Sequence, residues 1–282
     1  MKKPPNPQRG TKIKIMIRNY FKIQMYVLLS LIGLNVMAQH NKLEPFDEVI
    51  ISPHIEVKLI KGTQKNVNID EISVDESKIN IEIKGNTLRI YLEDAKEITK
   101  TKTVYQNGRK MNKPIYVGTQ AKISITYDQL KALSVRGEER VVIEKGLKTD
   151  KFRLKLYGEP LVIFDELHLD HLNVSIYGEG VLKLNSGSIK NQKFTVYGEA
   201  HVNTLKIVND TTKITSYGEA EFQINASEEI KVTAFGESVI NYTGHPNIKK
   251  GITLGDLKIK KIKNESSVSI PPENSSHNPN KS

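Results

Sequence analysis

The chain has no cysteine and no tryptophan. The missing cysteine excludes a disulfide scaffold, a cysteine-ligated zinc site, a cysteine nucleophile and a lipid anchor on cysteine. Helical periodicity of useful length is also missing. Long apolar runs are scarce. The longest stretch, Met25–Ala38, holds about a dozen apolar residues, where a membrane span needs ~20. Acid is absent from the first 38 residues, which carry Lys2, Lys3, Arg9, Lys12, Lys14, Arg18 and Lys22. That segment supplies most of the formal charge of +10; without it 35 basic residues face 32 acidic ones. Little of a nucleic-acid footprint then remains, and no nucleic-acid partner is expected. What is present is a chain of 282 residues, 38% hydrophobic, long enough to bury a sizeable core.

The two ends read as processing and solvation. Residues 1–38 combine a basic stretch, a short apolar run and Val36-Met37-Ala38 before Gln39, the pattern of a cleavable secretory signal. The alternative is an uncleaved anchor, and Met16 is a second candidate start. The mature chain is expected to begin near Gln39, to work outside the cytoplasm and to carry no transmembrane span. It would reside in the periplasm, on the outer-membrane surface, or be secreted. Residues 264–282 are rich in Ser, Asn and Pro without an apolar period, and read as a disordered tail. Just before them, Lys258, Lys260, Lys261 and Lys263 alternate with Leu257, Ile259 and Ile262, as on a solvated strand edge.

Self-similarity decides the fold class. Tyr157-Gly158-Glu159 recurs at Tyr177-Gly178-Glu179, Tyr197-Gly198-Glu199 and Tyr217-Gly218-Glu219, each 20 residues on. Arg136-Gly137-Glu138 and Phe235-Gly236-Glu237 flank them as weaker copies. Apolar residues keep the same register. Leu154, Val174, Phe194 and Ile214 stand three before the aromatic, and Val162, Leu182, Val202 and Phe222 stand five after it. Pairs two apart, such as Leu154 and Leu156, mark strands with one buried face. One such unit cannot bury its own apolar face, but stacked units can. The expected fold is all-β: a parallel β-helix-like solenoid with ~20-residue turns over 129–263, its successive turns ~4.8 Å apart. An antiparallel sandwich is the competing fold.

Residues 39–128 are read as a less regular β region of the same domain. Alternation marks 49–51, 55–59, 67–69, 79–83 and 88–92, and Gly85-Asn86 and Asn107-Gly108 are hairpin signals. An independent domain is the alternative.

The strand opening with Phe46, Gly85-Asn86-Thr87-Leu88, the run Leu130-Lys131-Ala132-Leu133-Ser134-Val135 and the repeated Gly-Glu turns together resemble the head GIN domain family, called putative auto-transporter adhesins, of the Gram-negative envelope. The resemblance covers roughly 46–263. It implies a β-helix-like domain, export and an adhesion-like role, and carries no catalytic residues. The family's usual turn is closer to Ser-Gly-Ser-Gly-Asp; here the second glycine and the acid are kept and an aromatic precedes them.

Stacked turns put equivalent residues in columns. Gly158, Gly178, Gly198, Gly218 and Gly236 read as structural turn residues needing positive φ. Glu159, Glu179, Glu199 and Glu219 form an acidic column. It is either solvated turn chemistry or a cation-binding edge, although no calcium loop of several clustered oxygens accompanies it. Tyr157, Tyr177, Tyr197 and Tyr217 are expected to point outward, either packing on one another or offering a ladder to a ligand. Arg153, Lys193, Lys213 and Lys231 add a partly basic column, with Thr195, Thr215 and Thr233 beside it. His168 and His171 flank Asp170, which reads as a surface group rather than a metal site.

No catalytic residue, metal or cofactor is expected. The leading reading is an exported envelope module binding a glycan or an envelope protein. The rivals are a polysaccharide lyase or hydrolase on the same scaffold, and a structural module that self-associates.

Overall fold

The computed structural model of the 282-residue chain describes residues 43–263. The expected signal (1–38) and tail (264–282) lie outside the described residues. Among the described residues no helix is long and apolar enough to cross a membrane.

The architecture is a β-solenoid of about six turns of roughly 20 residues. The repeats run through β9 (Ala132–Gly137), β10 (Arg140–Ile143), β11 (Leu147–Gly158), β12 (Leu161–Phe164), β13 (Leu167–Gly178) and β14 (Val181–Leu184). They continue in β15 (Gly187–Thr204), β16 (Ile207–Ala226), β17 (Glu229–Gly244), β18 (Asn247–Leu254) and β19 (Leu257–Lys261). Every pairing among these strands is parallel. The tripeptides stack on one another: Tyr157 pairs with Tyr177, Tyr177 with Tyr197, Tyr197 with Tyr217 and Tyr217 with Phe235.

The earlier strands are β1 (Glu48–Ile51), β2 (Ile55–Lys61), β3 (Asn66–Ile72), β4 (Ile79–Lys84), β5 (Thr87–Leu92), β6 (Thr101–Gln106), β7 (Arg109–Pro114) and β8 (Ala121–Tyr127). β1 lies between β5 and β9, and β2 between β8 and β10, all parallel. The pair β1 and β2 is thus a rung, although β3 to β8 intervene along the chain before the repeats begin at β9. Beyond β5 and β8 lie β4 and β3, both antiparallel. The change of direction ends the parallel stack at this side. Asp47 fastens the junction. Burial pushes its carboxyl up, but hydrogen bonds from Lys131 and Asn86 outweigh this and hold it below the usual carboxylate range.

The core follows from the alternation. Leu154, Leu156, Val174, Ile176, Phe194, Val196 and Ile214 point inward and are buried, as are Val162, Phe164, Leu182, Val202, Phe222 and Ile224. Among the buried polar groups that depart from this apolar rule, one cluster and one single residue stand out. Gln192, Thr212 and Asn209 are buried together. Gln192 Nε2 donates to Thr212 Oγ1 at 2.8 Å, and Asn209 Nδ2 donates to the Ile189 carbonyl at 2.9 Å.

The second departure is Tyr127. It is buried, and its hydroxyl has no hydrogen-bond partner among the described residues. Burial pushes its pKa up to about 12. A buried orphan hydroxyl costs ~1–3 kcal/mol. Tyr127→Phe is therefore expected to raise stability by about 1 kcal/mol, read from the urea midpoint. A raised folded pKa contributes stability that is present below the unfolded value of ~10 and lost as pH rises through 12. The parent protein should weaken over that window more than the phenylalanine variant does.

Candidate functional site

The site is the outward face of one sheet and the corner that follows it. Along each rung the inward residues alternate with three outward ones, and the glycine then turns the corner. At Gly178 φ is +121°, and a β-carbon there would stand 2.4 Å from the Gly158 carbonyl oxygen. The rungs can stack this closely only with glycine in the column.

Four parallel columns result. Arg153, Asn173, Lys193, Lys213 and Lys231 form the first, in register and exposed. Lys155, Ser175, Thr195, Thr215 and Thr233 form the second, half-buried. The aromatics form the third, and Glu159, Glu179, Glu199, Glu219 and Glu237 the fourth, exposed at the corner.

The aromatic rings stack face to face. Centroids are 5.0 to 5.1 Å apart from Tyr157 through Tyr217 to Phe235, with interplanar angles of 2° to 8°. Arg136 continues the column, its guanidinium 4.6 Å from the Tyr157 centroid, and pairs with Glu97 as well. Tyr177, Tyr197 and Tyr217 remain 40%, 43% and 40% exposed. Ring faces are turned against one another, so solvent meets edges and hydroxyls. A sugar cannot lie flat on rings whose faces are already occupied. It can meet a line of phenol hydroxyls flanked by threonine hydroxyls on one side and carboxylates on the other.

Stacking of this kind is worth ~0.5–1.5 kcal/mol per pair beyond area burial. Tyr197 makes two such contacts. Tyr197→Ala should cost about 2 kcal/mol in denaturant unfolding, while Tyr197→Phe, which keeps the stack, should change stability little.

At the acidic corner an open depression is lined by Glu199, Glu219 and Glu237 together with His201 and Glu221. His201 Nδ1 lies 3.4 Å from Glu221 Oε2. The five corner carboxylates in register share one exposed setting, so none is marked out as acid against base. Among the described residues no three His, Asp or Glu side chains converge as metal ligands. The two histidines at Asp170 do not share a site. His168 contacts Ser188 Oγ at 2.9 Å and Glu166 at 3.3 Å, whereas Asp170 pairs with Lys190 at 2.6 Å.

One residue outside the expected set breaks the corner pattern. Pro160, Gly180, Ala200, Ala220 and Ser238 occupy its buried inner position, and Glu139 stands there in the first repeat. Its carboxylate accepts the Glu138 amide at 3.0 Å, closing the corner's hydrogen-bond ladder where Pro53 lies below. The signal was legible as Glu-Glu where every later copy has a small residue.

A family model described as "Putative auto-transporter adhesin, head GIN domain" matches residues 45–246. The chain belongs to the head GIN domain family. Three solved structures are similar to it in fold. One, described as a putative adhesin from Bacteroides fragilis, is 22% identical with a TM-score of 0.59, covering 78% of this chain and 94% of that one. A second, a putative adhesin from Parabacteroides merdae, is 16% identical with a TM-score of 0.55, covering 79% and 94%. A third, a putative lipid binding protein from Parabacteroides distasonis, is 19% identical with a TM-score of 0.52, covering 79% and 94%. No curated protein matches the sequence. At these identities the structural likenesses speak for the head GIN fold alone.

Proposed function

We propose that this head GIN domain is an exported, non-catalytic module of the cell envelope that binds an outside partner, a glycan or an envelope protein, through its four-column face. The observation that carries the reading is the phenol ladder. Identical hydroxyl-bearing edges repeat every 5.0 to 5.1 Å along one line. A partner with a repeating extended backbone can match such a line several contacts at a time. Hydroxyls and carboxylates beside it suit a polyhydroxylated polymer or a partner strand's amides. The adhesin description of the family supports the same reading.

The test is a thermal-melt screen of the chain from Gln39 onward against a glycan panel, with and without calcium. A ligand that binds only the native state raises the midpoint by mass action. The expected result is a shift with a glycan that disappears in the double variant Tyr177→Phe and Tyr197→Phe, which keeps the stack and removes two hydroxyls. A shift that this variant leaves intact would remove the ladder from the reading. A shift with calcium alone would move the function to Glu159, Glu179, Glu199 and Glu219. If no glycan shifts the midpoint, the partner must be sought among envelope proteins.

A further inference from the structure

The strands β6 and β7 pair only with each other, as an antiparallel hairpin around Asn107-Gly108. Both of its faces are in solvent: of the residues in these two strands only Val104 is even half-buried. An isolated two-stranded hairpin is marginal in water at best. This one is held at its feet. His54 sits between them at φ +71°. Its Nδ1 donates to the Gly118 carbonyl at 2.8 Å, and its Nε2 lies 2.5 Å from Thr99 Oγ1. Ser52 Oγ adds a bond to the Lys96 carbonyl at 2.7 Å. The base is fixed to the solenoid and the arm projects from it.

The composition of the arm is one-sided. No acid occurs between Glu97 and Asp128. Lys102, Arg109, Lys110 and Lys113 make no ion pair among the described residues. Lys102 stands directly opposite Lys113 across the hairpin, an arrangement that destabilises a two-stranded pair unless a counter-charge is supplied. Lysines alone would read as protection of a strand edge. The apolar residues do not fit that reading. Tyr105 is 76% exposed, Ile98 78% and Val117 77%, and Met111 is exposed beside Val104. On one face of the hairpin Lys102, Lys113 and Arg109 bracket Val104 and Met111, while Tyr105 and Lys110 lie on the other. Cations bracketing apolar side chains match a surface that is anionic outside and apolar just beneath. A soluble acidic polymer would reward the cations only.

We propose that the β6–β7 arm docks on the surface of an anionic, phosphate-bearing lipid bilayer through one face, with Lys102, Arg109 and Lys113 at the headgroups and Val104 and Met111 at the acyl boundary. This stands apart from the ladder reading, because the two surfaces share no residue. Each basic side chain near an anionic membrane strengthens binding by roughly five-fold.

The absence of tryptophan supplies the probe. In the chain from Gln39 onward, Met111→Trp places a sole indole on the docking face of the arm. With vesicles of equal phosphatidylglycerol and phosphatidylcholine its emission should shift to the blue and be quenched by brominated acyl chains. With phosphatidylcholine alone it should do neither. Affinity for the anionic vesicles, read by co-flotation, should fall about a hundred-fold in the variant Lys102→Gln, Arg109→Gln, Lys113→Gln. The thermal midpoint of that variant should stay unchanged, since the arm packs on nothing. As a control, Lys193→Gln with Lys213→Gln should leave flotation intact. An indole that does not shift, or flotation that survives neutralising the arm, overturns the proposal. So does an indole that responds to a soluble sulfated dextran and not to vesicles, which would assign the arm to acidic polymers.

Discussion

Gly178→Ala is expected to destabilise the protein by at least about 3 kcal/mol, and at marginal stability to prevent folding at 37 °C. Two costs add. The residue sits at φ +121°, where an L side chain strains its own backbone by ~1–3 kcal/mol. A β-carbon there would also stand 2.4 Å from the Gly158 carbonyl oxygen and 3.2 Å from the Gly158 α-carbon. Those atoms are backbone and cannot rotate away, so two rungs must separate at the corner. The ladder bond from the Glu179 amide to the Gly158 carbonyl, 2.9 Å long, is lost with them. Gly85→Ala is the comparison. Its φ is +62°, and nothing lies within 4 Å of the added carbon. It should cost only about 1 kcal/mol. Guanidinium unfolding of the two variants measures the difference. Equal costs would show that backbone strain, and not rung spacing, explains the glycine column.

Phe222→Ala should cost about 3–5 kcal/mol. The ring is fully buried and tilts against Phe194 at 5.8 Å, with Val202 and Ile240 in register on the neighbouring rungs. The size of the penalty depends on how far the site collapses around the gap. Here the spacing of the rungs is fixed by backbone ladders on both sides, which opposes collapse and favours the upper end of the range. Phe222→Leu leaves a smaller hole and should cost about 1–1.5 kcal/mol. Val208→Ala, at an exposed position of the same strand, should change almost nothing. The measurement is again the denaturant midpoint, with an unchanged slope as evidence that the unfolded state is the same.

Much of the fold was legible because its signal is local and repeated. The tripeptides 20 residues apart, with Leu154, Val174, Phe194 and Ile214 holding one register, require stacked strands with one buried side. What could not be read was the order of rungs where the repeat lapses. Nothing in Val49-Ile50-Ile51 says that it lies between β5 and β9, because that neighbour relation is set by chain that leaves at Gly62 and returns at Leu130. The buried group Gln192, Thr212 and Asn209 was equally hidden. These residues occupy inward positions by period, but only contact shows that they hydrogen-bond to one another, with Gln192 Oε1 left without a partner among the described residues. At the site, the tyrosines were expected outward and their column is outward. Sequence could not show that the rings consume each other's faces, since ring tilt is set by the distance between rungs. Asn107-Gly108 marks the arm as a hairpin, and the freedom of both its faces is a tertiary fact.

The constant offset between paired residues makes the protein a ruler. From β11 to β16 each residue's neighbour lies 20 positions on, as Gly187 pairs with Ile207 and Ser188 with Val208. Removing residues 188–207 would join Gly187 to Val208 and leave every column above and below in step. Inserting the same twenty codons would add a rung and about 4.8 Å of height. Length can therefore be edited in whole steps without redesigning the interior, and the reach of the molecule from one end to the other is set by gene duplication rather than by repacking.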